Sequence, residues 1–426
     1  MKSNYINWEH VYSFGRIISK CIQGNETYLI NSEIFSTKDW LSSVLITLFL
    51  YEEDSTFVLS NEKIEFLKEN HTKVLRNLGY DYIFDNDHII LANHKVHLIT
   101  VNNLISNSNS LGLKNHRFIF SGIEDIKQDL KNYYKITLFK EDWFLEFNQF
   151  GYSNQNIIRT YNLLKKKFFL RKVLGNRYLL LDKKEIHFLS KFFCENASFS
   201  KQFSRVGNAL SQGWACWVEL DNVNLEWNFH IEPIDELLQI RELLVSNKFI
   251  YLSALRKDNF FQKYLKTQGI EIDLVMSFKS NFSEEKIPLY VPPNQMLPNN
   301  PFFTKEILKK CNKLIIFRRG LTLILSDDVD LKTNLATELA SKHGKKVLLE
   351  TIPSLNQEIL CASYNWWIKN ACLMRTPDQI IIPLFPIPNV SEPINSIIIS
   401  HYKKLSKDWF REYLLPEAGF KLERSV

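Results

Sequence analysis

The segment LTLILS (321–326) constrains this chain most. Its apolar residues fall on both sides of an extended backbone. A strand of that kind must be buried on both faces, which is the condition of a parallel sheet covered by helices. The neighbouring residues agree. Asp328 or Asp330 can cap a helix in which Leu331, Leu335 and Leu339 recur every four residues, with Ala336 and Ala340 beside that stripe. Gly344 stops the helix, and KVLLE (346–350) is the next strand. ILCAS (359–363) and QIIIP (379–383) are further strands.

The same alternation runs through the first 126 residues. Glu26–Ile30 predicts a short strand and Asp39–Tyr51 an apolar core helix. STFVLS (55–60) predicts a buried strand, followed by an amphipathic helix through Ile64, Leu67, Val74 and Leu75. HIIL (88–91), VHLIT (96–100) and RFIF (117–120) add three more strands, and the pattern returns at FIYLSAL (249–255). A chain of 426 residues is too long for one ordinary core. The expected class is α/β, with two parallel-sheet domains in tandem, the first interrupted by a mostly helical basic insertion. The expected boundaries are 1–126, an insertion at 127–230, a return at 231–287, and a second domain at 288–426 behind the Pro-rich joint PLYVPPNQMLPNNP.

The insertion differs in composition. Between Arg159 and Lys184 lie nine basic residues and one acid, Asp182. Ser153 is placed to cap a helix, and Gly175-Asn176 sits where a hairpin turn would in FFLRKVLGNRYLLL. A helix and basic hairpin carrying Lys165, Lys166, Lys167, Arg171 and Lys172 can lie along a phosphate backbone. The bland reading is a solvated surface.

The net charge of +6 mildly favours an acidic partner such as nucleic acid. The six cysteines show no CxxC spacing, so they argue for reduced, mostly buried thiols in a cytoplasmic protein rather than a zinc or iron–sulfur site. WLSSVLITLFLY (40–51) is too short to span a bilayer, and MKSNYINWEH carries no apolar signal core. No membrane association is expected.

The C-terminal unit resembles the DinG/XPD-type DNA helicases. That family has a buried strand, a Leu-Pro-Phe-Pro-like loop, a later Pro, a helix, and then Tyr-x-Leu-Pro-x-Ala-x-x-x-Leu. Here IIIPLFPIPNVSEP and WFREYLLPEAGFKL place Leu384, Phe385, Pro386, Pro388, Pro393, Tyr413, Leu415, Pro416, Ala418 and Leu422 on the pattern. Trp366 falls near the Trp of the family's Ser-Phe-Trp-Glu-Gly motif. IYLSAL (250–255) is similar to its Thr-Ser-Ala-Thr-Leu strand end, and LITVNNLI (98–105) to the segment before its DEAH box. The layout also resembles a divergent cyanobacterial branch of DinG-like proteins. The resemblance implies two RecA-like motors, ATP and Mg²⁺ as cofactors, single-stranded DNA as partner and a role in DNA repair.

The chemistry of such a motor is depleted. The loop NSEIFSTKDW (31–40), where a phosphate cradle would lie, has no glycine and no GK[ST]. Ser36, Thr37 and Lys38 are its candidate nucleotide-binding residues; their bland reading is a cap and a surface lysine. By resemblance the DEAH tetrad falls on Ser121-Gly122-Ile123-Glu124, which lacks the metal-binding carboxylate. Glu124 and Asp125 then read as helix-capping acids. Arg424-Ser425-Val426 stand where the family's arginine element begins, so Arg424 is not read as an arginine finger. No catalytic residue is assigned, no metal site is expected, and the four cysteines of an iron–sulfur cluster are missing.

The leading expectation is a DinG-like helicase-family protein that binds nucleic acid with ATP hydrolysis weak or lost. One alternative is an active ATP-dependent DNA helicase with unusual motifs. Another is a structural or regulatory partner protein without nucleic-acid binding. Its candidate interface residues are Trp366, Trp367 and Trp409, whose bland reading is packing between helices.

Overall fold

The computed structural model describes residues 8–32, 40–51, 54–77, 82–85, 88–91, 94–107, 117–144, 155–171, 177–198, 200–221, 223–254, 262, 265–266, 269–277, 288–293, 295–316, 320–353, 358–371 and 374–425. Three sheets organise them.

The first sheet has eight strands: β1 (Tyr28–Asn31), β2 (Ser55–Val58), β3 (Tyr82–Asp85), β4 (His88–Leu91), β5 (His94–Ile99), β6 (Arg117–Ser121), β11 (Phe249–Ser253) and β12 (Leu274–Ser277). Their order is β12-β1-β11-β6-β2-β5-β4-β3. Six run parallel, and β4 and β3 fold back antiparallel at one edge. The expected strands HIIL and VHLIT are therefore a hairpin pair rather than two parallel strands. Strand alternation divides the core in two. Tyr28, Ile30, Phe57, Ile119, Ile250 and Leu252 pack to one face, against Phe14, Trp40 and Leu48 from the helices Trp8–Gln23 and Trp40–Leu50. Leu29, Val58, Phe118, Phe120, Phe249 and Tyr251 pack to the other, against Leu104, Ile126 and Leu244. At the central strands both faces are buried, as the uniform apolar runs require, whereas Leu274 and Val275 of the edge strand β12 are exposed. Helix Trp40–Leu50 is the core helix anticipated, and no described helix is long and apolar enough to cross a membrane.

The second sheet belongs to the insertion and is antiparallel. It comprises β7 (Ile136–Leu138), β8 (Tyr178–Leu180), β9 (Ala215–Asp221) and β10 (Glu226–Glu232), in the order β7-β10-β9-β8. The insertion is thus helices laid on a sheet. The hairpin expected around Gly175-Asn176 does not form from its two expected arms. The first arm, Phe168–Leu170, ends helix Gln155–Leu170, and β8 pairs with β9 instead. The turn residues 172–176 lie outside the described residues. Trp143 sits at the centre of this core, 5.3–5.6 Å from the rings of Tyr161, Phe193, Phe203 and Trp227. Cys216, Val218 and Leu220 face it from β9. Ala215 and Trp217, on the opposite face, pack against Ile394 and Ile398 of helix Pro393–Lys404.

The third sheet is parallel. It comprises β13 (Thr322–Leu325), β14 (Val347–Leu349), β15 (Ile359–Ala362) and β16 (Gln379–Ile381), in the order β14-β15-β13-β16. Asp328 caps helix Val329–His343 through Leu331 N–H at 2.8 Å, and Leu331, Leu335 and Leu339 are buried, as the spacing required. Gly344 adopts φ +63° at its end, where a side chain would be strained. Four cysteines, Cys21, Cys216, Cys311 and Cys361, are buried free thiols whose pKa burial pushes up to about 12.

Candidate functional site

In parallel α/β sheets the chain leaves its strands at the carboxyl edge, and ligands bind in the crevice outside it. Here β1, β11 and β6 are adjacent, and their last residues line up: Asn31 opposite Ser253, Leu252 opposite Ser121. Ser32 N–H donates to Ser253 O at 2.9 Å, and Gly122 N–H to Leu252 O at 3.0 Å. The three exits that carry the cradle loop, the Ser-Ala strand end and the DEAH position are therefore brought together. Gly122 turns the chain at φ 69°, ψ 57°, into helix Ile123–Tyr134.

Among the described residues, the strand ends here carry Asn31, Ser32, Ser121 and Ser253, all short and neutral. Lys63, from helix Asn61–Asn77, donates its Nζ to Ser121 Oγ at 2.8 Å and lies 5.8 Å over the Trp40 ring. Trp40 is fully buried and starts the helix after the cradle loop. A cavity of about 10 Å³ bordered by Val58, Val101, Phe120, Ser121, Gly122 and Asp129 holds room for a single water at most. Asn31 Oδ1 is buried and makes no hydrogen bond among the described residues.

Among the described residues, the strand ends themselves bring no carboxylate for a magnesium nucleotide. A metal ion there needs a carboxylate, and Ser121 offers a hydroxyl. Lys63 brings a positive charge to that hydroxyl, which repels a second cation. Among the described residues no group of three or more His, Cys, Asp or Glu could hold a metal. Glu124 and Asp125 lie in the first turn of helix Ile123–Tyr134. The nucleotide candidates Ser36, Thr37 and Lys38 lie outside the described residues.

In the third sheet's unit, Glu350 and Asp327 are both paired internally. Glu350, at φ 48°, accepts from Lys332 Nζ at 2.6 Å, Ser363 N–H at 3.0 Å and Ser363 Oγ at 2.7 Å. Burial opposes ionisation of Glu350, but Lys332 and Ser363 together hold its carboxyl below the usual range. Asp327 accepts from Tyr364 N–H at 3.1 Å and from Lys421 Nζ at 2.8 Å. Arg424 stacks its guanidinium 5.7 Å over Phe420.

No protein-family model and no curated protein matches this chain. Solved structures do. The structure of S. tokodaii Xpd4 aligns with 98% of this chain and 91% of its own, with a TM-score of 0.62 at 11% identity. One described as "XPD_Helicase" covers 98% and 92%, with a TM-score of 0.59 at 10% identity. A third, "XPD_APO", covers 97% and 92%, with a TM-score of 0.56 at 10% identity. This chain has the fold of the XPD helicases. The two RecA-like parallel sheets expected in tandem are both present.

Within this fold, several residues of the C-terminal loop and helices hold the scaffold. Pro383 and Pro386 are buried, whereas Phe385 and Ile387 stand 64% and 44% exposed. Pro393 occupies the first turn of its helix. Tyr413 donates to Asn395 Oδ1 at 2.6 Å, and Asn395 Nδ2 in turn donates to Asn389 O at 2.8 Å. The loop and the terminal helix are thus tied by one side chain. Trp367 is buried, its Nε1 donating to Ser425 O at 3.1 Å, and Trp366 is half-buried. Trp409 lies under Lys403 at 5.5 Å. Two of the three interface tryptophans are packing residues.

The basic patch of this XPD-like fold is partly neutralised. Lys167 and Arg171 both pair with Glu185, a buried carboxylate that also closes the capping box of helix Lys183–Glu195. Lys165 stands 3.9 Å from Glu226. Lys166 is exposed and makes no ion pair among the described residues; Lys172 lies outside them. Arg159, Lys183 and Lys184 are likewise exposed. Sequence reasoning missed Lys63 and Glu185 as the deciding charges. No spacing rule links a lysine to a serine 58 residues away, and only pairing across the sheet brings them together.

Proposed function

We propose that this protein is an XPD-fold nucleic-acid-binding protein, taking single-stranded DNA, that hydrolyses ATP weakly or not at all. The observation that carries the reading is the Lys63–Ser121 hydrogen bond. Phosphoryl transfer relies on positioning and on a metal held opposite the phosphates. An ammonium at the metal-ligand position leaves that metal without its carboxylate. The DNA-binding half rests on Arg159, Lys166, Lys183 and Lys184, which remain available for phosphates, with exposed Leu163, Leu170 and Phe188 among them.

The test is ATP turnover of the full chain with and without single-stranded DNA. Turnover below about 1 s⁻¹, the low end of ordinary enzymes, is expected. DNA-stimulated turnover above it sinks the reading, and nucleotide-dependent thermal stabilisation lost in Lys38→Ala would restore the active helicase. DNA affinity should fall with salt at about 0.7 log units per log unit for each phosphate contacted. A flat salt response would instead favour a partner protein that touches no nucleic acid.

A further inference from the structure

The helices Phe303–Ile316 and Val329–His343 of the third sheet's unit border a groove that none of this chemistry uses. Helix Phe303–Ile316 presents Lys305, Lys309 and Lys313 along one line, and Lys342 faces them from the last turn of helix Val329–His343. The space they border measures about 690 Å³ and is open to solvent. All four ammonium groups are exposed, and none makes an ion pair among the described residues. Glu306 is the one acid in the lining. Met296, Phe302, Leu308 and Ile316 also line it, and Phe302 and Ile316 are 63% and 69% exposed. Large apolar side chains left in water beside unpaired lysines mark an interaction surface.

We propose that this groove docks an acidic amphipathic helix of a protein partner. Lysines four residues apart on a helix repeat every 6 Å or so, which is also the repeat of carboxylates at i, i+4 on a helix lying alongside. The apolar side chains from Phe302 to Ile316 span about 21 Å, enough for roughly four turns of a partner whose apolar stripe faces down. The charge complement is four cations against one acid, so the partner's flank is acidic. A single-stranded nucleic acid would meet the lysines but not the floor. Among the apolar lining residues only Phe302 is aromatic, and base binding uses a succession of aromatic platforms.

The experiment is fluorescence anisotropy of the full chain with a labelled peptide of about 18 residues, glutamates at i, i+4 flanking a leucine stripe. Binding is expected to weaken about tenfold in Lys309→Glu/Lys313→Glu and in Ile316→Asp, and to weaken as salt rises. These side chains are exposed, so thermal melts of the variants should match the parent. A peptide of the same composition with its stripe scrambled should bind at least about tenfold more weakly. Four results each overturn the proposal: no peptide binding; equal binding of the scrambled peptide; unchanged affinity in both variants; or displacement of the peptide by oligo-dT. Sedimentation showing a dimer that the lysine variant dissolves would assign the groove to a second copy and overturn it too.

Discussion

Lys127 and Glu417 are ion-paired, joining the helix that leaves β6 to helix Leu415–Glu423 at the end of the chain. Both side chains are about one-third exposed. The bond therefore couples the two RecA-like units through the helix that follows Ser121 and Gly122. Burial opposes ionisation of Glu417, but the charge of Lys127, with Lys421 and Lys131 behind it, outweighs burial and holds the carboxyl below its ordinary 4.5. A carboxylate depressed in the folded state stabilises above its unfolded pKa and loses that contribution as pH falls through the folded value. Lys127→Met and Glu417→Gln should each cost about 1 kcal/mol at pH 7, and their double-mutant coupling should be smaller at about pH 3 than at pH 7. Urea unfolding of the four proteins at both pH values measures it. Strictly additive effects at pH 7 would refute the coupling.

His230 should give the protein a second pH dependence. It lies between Thr137 Oγ1 at 3.1 Å and Glu219 Oε2 at 3.0 Å, stacked on Trp217 with ring centroids 5.5 Å apart. Burial lowers its pKa below the ordinary 6.5 against the pull of Glu219, and nearby Lys135 adds to the lowering. The unfolded chain then takes up a proton that the folded protein refuses. Stability should fall as pH drops below about 6.5, by at most about 1.4 kcal/mol per pH unit, until the folded value is reached. His230→Gln should flatten that segment of the stability curve. An unchanged slope in the variant would exclude His230 as its source.

Trp217 fastens the insertion to the second RecA-like unit. It is 5% exposed and packs with Ala215, Ile394 and Ile398. Trp217→Ala should destabilise the protein by about 3–5 kcal/mol. The insertion has its own core around Trp143, so limited proteolysis of the variant should release an insertion fragment before the rest is cut. Uniform degradation would argue that the joint is not the weak point.

Glu185→Gln separates charge from capping. The amide oxygen can still accept from the Asp182 N–H that Glu185 Oε2 now holds at 2.9 Å. What is lost is the carboxylate shared by Lys167 and Arg171. Stability should drop by about 1–2 kcal/mol, and the salt dependence of single-stranded DNA binding should steepen by up to about 1.4 as two cations become free. Isothermal denaturation and anisotropy across salt check the two halves. An unchanged salt slope would remove Lys167 and Arg171 from the DNA-binding face.

The sequence by itself determined most strands of both parallel sheets, but not β3, β12 or the helices Trp8–Gln23 and Phe303–Ile316. The legible apolar runs have two buried faces and the legible helices one stripe, and those periods are local properties of the chain. LTLILS, its Asp328 cap, Leu331-Leu335-Leu339 and Gly344 all fold as their spacing dictates. The proline loop was legible for the same reason, since each proline fixes its own φ. That position 121 carries a hydroxyl rather than a carboxylate was legible too, because it is a matter of identity at one position. Tertiary structure alone decided what stands beside it. Lys63 reaches Ser121 only because β2 lies beside β6 in the sheet order, a non-local pairing that no helical or strand period encodes. It likewise decided that the basic stretch is partly neutralised. Glu185 and Glu226 come from elements that pack onto helix Gln155–Leu170, and an ion pair between elements depends on that packing rather than on the charge count.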